Sequence, residues 1–299
     1  MTVNCKAMSD SMNSPFRYPG GKFYARDLII PHIPPHDAYL EPFAGGGSIF
    51  FMKEKAAFNQ LNDADEELIN TYLMIRDQPE ELIGFLANEQ ATKERHGWYK
   101  NEFQPGNDLE RAGRWYYLNR TSYSGIMKLQ NCFWGYGDKY SMRPENWPRN
   151  IRRTSAKLQN VLITNWDFQQ AIEGVPDGAF LFVDPPYYNA DQDKFYNHIF
   201  THDDHVRLAQ VLHEHRHRVK FLITYDNCDD VRDLYEWATE MHGREWNYVI
   251  ARTDDQKKEA KDKPKLKGTR GKGRELFIVN YISSELEQQY IGMQMAIAF

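Results

Sequence analysis

Phe180-Leu181-Phe182-Val183-Asp184-Pro185-Pro186-Tyr187 is four apolar residues followed at once by an acid, two prolines and an aromatic. A short apolar run bounded by breakers reads as a buried strand. Neither proline can donate a ladder hydrogen bond and each fixes φ near about −65°, so the strand stops there and its end is rigid. Working outward, further strand signals stand at Val161-Leu162-Ile163, Lys220 to Thr224, Tyr248-Val249-Ile250 and Leu276 to Ile282, with helix patterns over 203–217 and 229–239. Only the polar stretch 252–275 separates the last two strands. It is too polar for a crossover helix to pack on a sheet, so a hairpin is expected and the final strand should be antiparallel. Upstream, Ala38-Tyr39-Leu40 stops at Glu41-Pro42 and Gly45-Gly46-Gly47, and an apolar helical stretch runs from Ser48 to about Lys55. A strand from Ala57 to Leu61 ends at Asn62-Asp63, and Leu68, Ile69, Tyr72 and Ile75 follow at helical spacing. That is a βαβ unit. The reading is an α/β fold with a seven-stranded, mostly parallel sheet and a C-terminal antiparallel hairpin.

Between 79 and 157 the apolar periodicity weakens while Trp, Tyr, Arg, Asn and Gly accumulate, as in Trp115-Tyr116-Tyr117 and Cys132-Phe133-Trp134. This texture predicts an inserted lobe. A chain of 299 residues with 41% hydrophobic and 14% aromatic residues can bury a sizeable core. Formal net charge is −5, yet residues 252–274 hold ten Lys/Arg against four Asp/Glu, so the remainder is strongly acidic. Cys5, Cys132 and Cys228 are scattered and form no CxxC pair, which suits a reducing cytoplasm and argues against a disulfide scaffold. The opening residues contain no apolar segment of a secretory signal, and no run is long enough to span a bilayer. A cytoplasmic protein with a short frayed N-terminus is expected.

An exocyclic amine on an aromatic base is a poor nucleophile because its lone pair is delocalised into the ring. Two acceptors aimed at its hydrogens pull the nitrogen toward sp³ and free that pair for an incoming methyl. Asp184 supplies a carboxylate, the Pro185 carbonyl a second acceptor, and Tyr187 a face on which an extruded base stacks. The bland alternative is a strand leaving through a proline turn with Asp184 as a cap. Glycines between a strand and a helix let backbone approach a ligand closely, and a helix N-terminus can receive an anionic group such as a methionine carboxylate. Asp63 stands where such folds place a ribose-binding acid; its alternative is a helix N-cap before Glu66-Glu67-Leu68.

In combination these motifs resemble the Dam-like, alpha-type family of N6-adenine-specific DNA methyltransferases. Phe16-Arg17-Tyr18-Pro19-Gly20-Gly21-Lys22 matches the family's N-terminal motif, Tyr39 to Gly47 its glycine motif, and Leu61-Asn62-Asp63 with Glu67 to Asn70 its ribose-binding segment. Tyr117 to Gly125 resembles the start of the recognition region, Asn165-Trp166-Asp167-Phe168 the segment that meets the cofactor's adenine, and Phe182 to Tyr187 the catalytic motif. The resemblance implies a Rossmann-like methyltransferase sheet. It divides the chain into a cofactor-binding part (14–78), an inserted, mostly helical target-recognition lobe (79–157) and a catalytic part (158–285). The implied activity is site-specific transfer of a methyl group from S-adenosyl-L-methionine to the exocyclic amine of an adenine flipped from double-stranded DNA. Asp184, Pro185 and Tyr187 would be catalytic. Tyr18, Gly21, Lys22, Glu41, Phe43, Gly45, Gly47, Asp63, Asp167, Phe168 and Asp184 would line the cofactor pocket. Basic residues interleaved with aromatics point to DNA contacts at Arg120, Tyr123, Lys128, Arg149 and Arg152, and in the basic loop at Lys265, Lys267 and Arg270. A monomer is expected, with a partner restriction endonuclease and a GATC-like target as family-based readings.

Two patterns point elsewhere. His213-Glu214-His215-Arg216-His217 satisfies H-E-x-x-H, the spacing of a zinc hydrolase, but no third ligand is suggested and the helix ends at once. Gly268, Gly271 and Gly273 follow no strand and read as loop. No metal is expected. Three other functions share some of the logic: an RNA adenine methyltransferase, which seldom carries a large lobe between the two motifs; a protein-glutamine methyltransferase, which usually has Asn where Asp184 stands; and an inactive DNA-binding protein, against which the intact motifs speak.

Overall fold

The structure is a computed structural model that describes residues 11–137, 141–190, 192, 199–247, 272–284 and 286. Seven strands form one sheet: β1 (Ala38–Glu41), β2 (Phe58–Asn62), β3 (Leu162–Thr164), β4 (Phe180–Val183), β5 (Lys220–Asp226), β6 (Glu240–Asn247) and β7 (Lys272–Val279), in the order β3-β2-β1-β4-β5-β7-β6. The first five pair in parallel, whereas β7 runs antiparallel to both β5 and β6. This is the expected α/β sheet with its C-terminal antiparallel pair. Ten helices surround it among the described residues: α1 (Arg26–Ile29), α2 (Ser48–Met52), α3 (Glu66–Asp77), α4 (Pro79–Leu86), α5 (Lys93–Asn101), α6 (Asp108–Thr121), α7 (Trp147–Leu158), α8 (Phe168–Gly174), α9 (His202–His215) and α10 (Asp229–Leu234). None is long and apolar enough to cross a membrane.

The pleat divides the apolar residues of the central strands between two layers. Tyr39, Leu61, Phe180 and Phe182 face Tyr72 of α3, Tyr116 of α6 and Trp147 and Ile151 of α7. Leu40, Leu181, Val183, Phe221 and Ile223 face Phe168 and Ile172 of α8 and Leu208 and Leu212 of α9. Each fully buried Leu, Ile or Phe contributes about 1.5–3 kcal/mol relative to leaving it in water. No strand lies in 79–157 among the described residues, and its helices belong to the same apolar cluster as the sheet. The insertion therefore has no core of its own, and α7 runs directly on toward β3.

Three expectations at the C-terminal end need correction. The sixth strand is β6, whereas 248–250 lie outside the described residues; its polar run Glu240-Met241-His242-Gly243-Arg244 lacks alternation because it is the outer strand of the sheet. The helix expected over 229–239 stops at Leu234, where Tyr235 leaves helical geometry and buries its ring. Gly273 lies in β7, not in a loop.

The segment before α1 is laced to α6. Asn119 accepts from the Arg17 amide at 3.1 Å and donates to the Arg17 carbonyl at 2.7 Å, and Phe16 packs against Tyr72 and Trp115. Arg120, expected on DNA, is buried and donates to the Pro15 carbonyl at 3.0 Å. It has no exposed surface to offer a phosphate, because the last turn of α6 is packed on all sides.

Gly125 has φ +71°, and a Cβ there would stand 2.1 Å from the Arg17 carbonyl oxygen; Gly178 has φ +77° but open space around it. Both Ala substitutions incur about 1–2 kcal/mol of left-handed strain. Only Gly125→Ala also collides with backbone. Urea unfolding should therefore show Gly125→Ala more destabilised than Gly178→Ala by at least about 1 kcal/mol; equal losses would place the segment 14–22 away from Gly125.

Candidate active site

The strand order reverses between β1 and β4, which pair through Tyr39–Phe180 and Leu40–Leu181. In a parallel sheet the loops leaving two such strands diverge, opening a crevice at their carboxyl ends. Here those loops are the glycine turn after Glu41 and the Asp184–Tyr187 segment. The structure thus brings together two motifs that stand far apart in the chain.

The glycine turn is held from beneath. Glu41 is buried and its Oε1 accepts from the Phe50 amide and the Tyr39 hydroxyl, both at 2.7 Å. Burial raises its carboxyl to about 8, against the lowering effect of those two hydrogen bonds. This corrects its expected place in the cofactor pocket: the side chain is spent on α2 and on its own strand, and acts on the crevice only by fixing the turn. Gly45 has φ +46° and its amide donates to Asp63 Oδ2 at 2.8 Å, while its carbonyl accepts from the Tyr72 hydroxyl at 2.8 Å. A Cβ on Gly45 would meet the Tyr18 ring at 2.9 Å, so Tyr18 lies against the turn, as does Gly21 beside Ser48. Gly47, at φ +61°, opens α2, which is a turn shorter than expected.

Asp63 accepts through Oδ1 from the Asp65 amide at 2.9 Å. The residue that caps α3 is Asp65, which accepts from the amides of Glu67 and Leu68. The helix-cap alternative for Asp63 therefore falls, and its carboxylate faces the glycine turn. Asn62, which the sequence did not single out, donates to the carbonyls of Pro42 and Trp166, each at 3.0 Å, tying the ends of β1, β2 and β3 together.

Two residues before Gly45, the Phe43 ring packs in a cluster with Phe168 and Phe200, their centroids 5.5–5.6 Å apart, with Phe43 and Phe200 half-buried. Phe43 and Phe168 were expected here; Phe200 lay in a stretch with no motif. Asp167 caps α8 and forms a two-pronged ion pair with Arg207, 2.6 and 2.9 Å, which lowers its carboxyl. Arg207 also lies over the Phe168 ring at 4.0 Å.

At the end of β4, Asp184 receives a hydrogen bond from Thr224 Oγ1 at 2.7 Å, and the Lys22 ammonium stands 2.7 Å from its carboxylate. Lys22 is itself buried, donates to the Gly20 carbonyl at 3.0 Å, and lies 4.8 Å from the centre of the Tyr187 ring. The N-terminal Gly-Gly-Lys motif thus reaches the catalytic motif directly. Asp226, at the end of β5, accepts from the amides of Tyr188 (2.9 Å) and Asn189 (3.1 Å) and from Asn189 Nδ2 (2.7 Å). It clamps the loop that follows Tyr187. Neither Thr224 nor Asp226 belongs to a recognisable motif; the signal for both is only that they end a strand flanking β4. His205 donates to or accepts from Tyr225 at 2.6 Å, and burial lowers its imidazole to about 4, so it is neutral near pH 7.

A family model for D12 class N6 adenine-specific DNA methyltransferases matches residues 18–250. The chain belongs to this family. Among its relatives, the DNA N-6-adenine-methyltransferase of Escherichia phage P1 is 29% identical over 245 residues, covering 77% of this chain and 32% of the phage protein. This chain thus spans about a third of the length of that relative. The type II methyltransferase M1.LlaDCHI of Lactococcus lactis subsp. cremoris is 31% identical over 214 residues, 64% of this chain and 73% of that protein. The DNA adenine methylase of Serratia marcescens is 26% identical over 235 residues, 74% of this chain and 86% of that protein.

The cations expected to contact DNA fare unevenly. Arg152 forms a two-pronged pair with Glu80 at 2.7 Å, and Lys128 is half-buried. Tyr123 is half-buried and its amide donates to the Phe133 carbonyl. Of the neighbouring basic residues, Arg111 pairs with Glu66, Glu67 and Asp108, Arg114 donates to the carbonyls of Tyr99 and Lys100, and Lys157 is buried. Arg149 and Arg153 on α7 are exposed and make no ion pair among the described residues. Lys265, Lys267 and Arg270 lie outside the described residues. The H-E-x-x-H helix ends at His215, His213 packs on Trp237, and no metal-binding cluster occurs among the described residues.

The state of Glu41 has a thermodynamic signature. Folding raises it from the ordinary carboxyl range to about 8, so between these values the unfolded chain releases a proton that the folded chain keeps. Its contribution to stability is complete below the unfolded value and is lost as pH rises, by up to about 1.4 kcal/mol per pH unit. Urea unfolding between about pH 6 and 7.5 should show a shallower loss in Glu41→Gln than in wild type. Parallel slopes would mean that Glu41 is ionised in the folded protein.

Proposed function

We propose that this chain methylates the exocyclic amine of adenine in double-stranded DNA, using S-adenosyl-L-methionine and taking the adenine out of the base stack to do so. The observation that carries the reading is the adjacency of two strand ends, one carrying Asp184 and the other the glycine turn held by Asp63. The half-buried rings of Phe43 and Phe200 offer an apolar surface on which a purine can lie, and Asp63 suits a pair of ribose hydroxyls. When bound, the cofactor supplies an electrophilic methyl group. The chain's residues then act on the amine: Asp184 accepts one of its hydrogens and the Pro185 carbonyl the other, which localises the nitrogen lone pair. Thr224 and Lys22 fix the Asp184 carboxylate, and Asp226 keeps the following loop in place. Tyr187 offers a ring against which the extruded base stacks.

In this reading 14–78 and 158–285 bind cofactor and perform the reaction, and 79–157 recognises the target. Arg149, with Arg153 beside it on α7, can meet a phosphate, since both charges are exposed and make no ion pair among the described residues. The basic residues of 252–274 would add salt-sensitive, sequence-independent affinity to an otherwise acidic chain. A monomer acting in the cytoplasm is consistent with cofactor and catalytic motifs lying in one chain. The name of the Lactococcus relative favours a restriction-modification setting with a partner endonuclease.

Tritiated S-adenosyl-L-methionine offered with unmethylated duplex DNA, RNA and bulk protein should label only the duplex, as N6-methyladenine; label in RNA or glutamine would overturn the assignment. Asp184→Ala should lower turnover at least about a hundredfold while cofactor affinity stays within about threefold. Appreciable turnover would remove Asp184 from the chemistry. Asp63→Ala should weaken cofactor binding by about 2 kcal/mol, the scale of a charged hydrogen bond, close to thirtyfold in Kd. Calorimetry showing unchanged affinity would leave Asp63 only its role of holding the glycine turn.

A further inference from the structure

Glu275 is a buried carboxyl group next to the reaction centre that the proposed chemistry does not use. It sits on β7, flanked in register by Asp226 on β5 and Arg244 on β6, and is 1% exposed. Oε1 is 3.9 Å from the Lys22 ammonium, the same ammonium that stands 2.7 Å from Asp184. No hydrogen bond of normal geometry reaches either carboxylate oxygen among the described residues, although the Tyr187 hydroxyl is near enough to favour the charged form. A carboxyl group without well-formed hydrogen bonds is expensive to bury in its charged form, and its position beside a shared lysine is therefore hard to explain as an anchor.

Resting on the function proposed above, we infer that Glu275 is a positioning residue for methyl transfer: ionised, it competes with Asp184 for Lys22 and so strengthens Asp184 as the acceptor of the amine hydrogen. With Glu275 protonated, the Lys22 charge belongs to Asp184 alone and part of the Asp184 negative charge is neutralised. With Glu275 ionised, the ammonium is shared between two carboxylates, and more charge remains on the Asp184 oxygens to polarise the N–H bond. The proton that Glu275 releases goes to solvent and takes no part in methyl transfer.

The groups that face Glu275 agree with a change of state near neutrality. Burial raises its carboxyl to about 7, Asp184 on the β4 loop and Asp226 on β5 push in the same direction, and Lys22 and Tyr187 oppose them. The Arg244 guanidinium on β6, opposite Glu275 in register, reaches His32 Nε2 at 3.2 Å. His205 is already neutral across this range. Lys22 is thus the cation through which Glu275 and Asp184 communicate.

The test is single-turnover methylation of an adenine-containing duplex by wild type and by Glu275→Gln from about pH 6 to 8.5. In wild type the rate should rise roughly tenfold through a midpoint near 7 and then level. In the Gln variant it should stay near the low-pH rate throughout, while cofactor and duplex affinities remain within about twofold of wild type. A Gln variant that keeps the wild-type rise, or a wild type without one, overturns the inference. Lysine ammonium NMR supplies a readout independent of activity: the Lys22 signal should move through the same midpoint in wild type and stay fixed in the Gln variant. If wild type fails to label duplex adenine at any pH, the proposed function fails, while the Lys22 signal still decides whether Glu275 controls it. Should Glu275→Gln not fold, Glu275→Asp, which keeps the charge but withdraws it, must shift the midpoint; an unchanged midpoint overturns the inference as well.

Discussion

β1 and β4 lie side by side in parallel although α2 through α8, and two other strands, intervene in the chain. Everything at the crevice depends on that pairing. Tyr39 pairs with Phe180 in one apolar layer and Leu40 with Leu181 in the other, because side chains alternate across a strand. A slip of one residue would turn Phe180 and Leu181 to opposite layers and displace the strand end from which Asp184 projects. The same burial that stabilises the sheet therefore sets the position of a carboxylate relative to a glycine turn.

Charges in this crevice are handled in three different ways. Glu41 is held beneath the turn by two donors and is kept protonated by burial. Asp184 accepts from the Thr224 hydroxyl and pairs with the Lys22 ammonium. Asp226 spends its carboxylate on backbone and side-chain N–H groups of the loop after Tyr187. Three acids within a few residues of strand ends thus do three kinds of work, distinguished by the donors that reach each one. Removing a donor from Asp184 or Asp226 would leave a charge partly buried and less compensated, which is costlier than the hydrogen bond itself is favourable.

The 79–157 segment is attached without a second core of its own among the described residues. Its helices present Tyr116, Trp147 and Ile151 to the same layer as Tyr72 and Phe180. The segment carrying Lys22 is pinned against α6 through Asn119 and Arg120. The 79–157 helices, the N-terminal segment and Lys22 are consequently tied together mechanically. Several cations in the lobe are consumed by this arrangement: Arg120 by a carbonyl, Arg111 and Arg152 by carboxylates.

The sequence alone determined the α/β class, the parallel strands with their antiparallel end and the two motifs at strand ends, because these rest on local signals: apolar runs of strand length, prolines that stop them, glycines that permit positive φ at Gly45 and Gly47. It missed β6, since an edge strand is under little pressure to alternate. It also assigned Glu41 to a ligand and Arg120 to DNA, because residue type does not reveal which side of a turn or helix is buried. Only the tertiary structure decided that Lys22 meets Asp184, that Asp65 and not Asp63 caps α3, and that Thr224, Asp226 and Glu275 gather around Asp184, Lys22 and the loop after Tyr187. Those residues sit on strands or loops distant in the chain and carry no spacing of their own. Their meeting is a consequence of strand order, and strand order is fixed by the packing of the whole sheet.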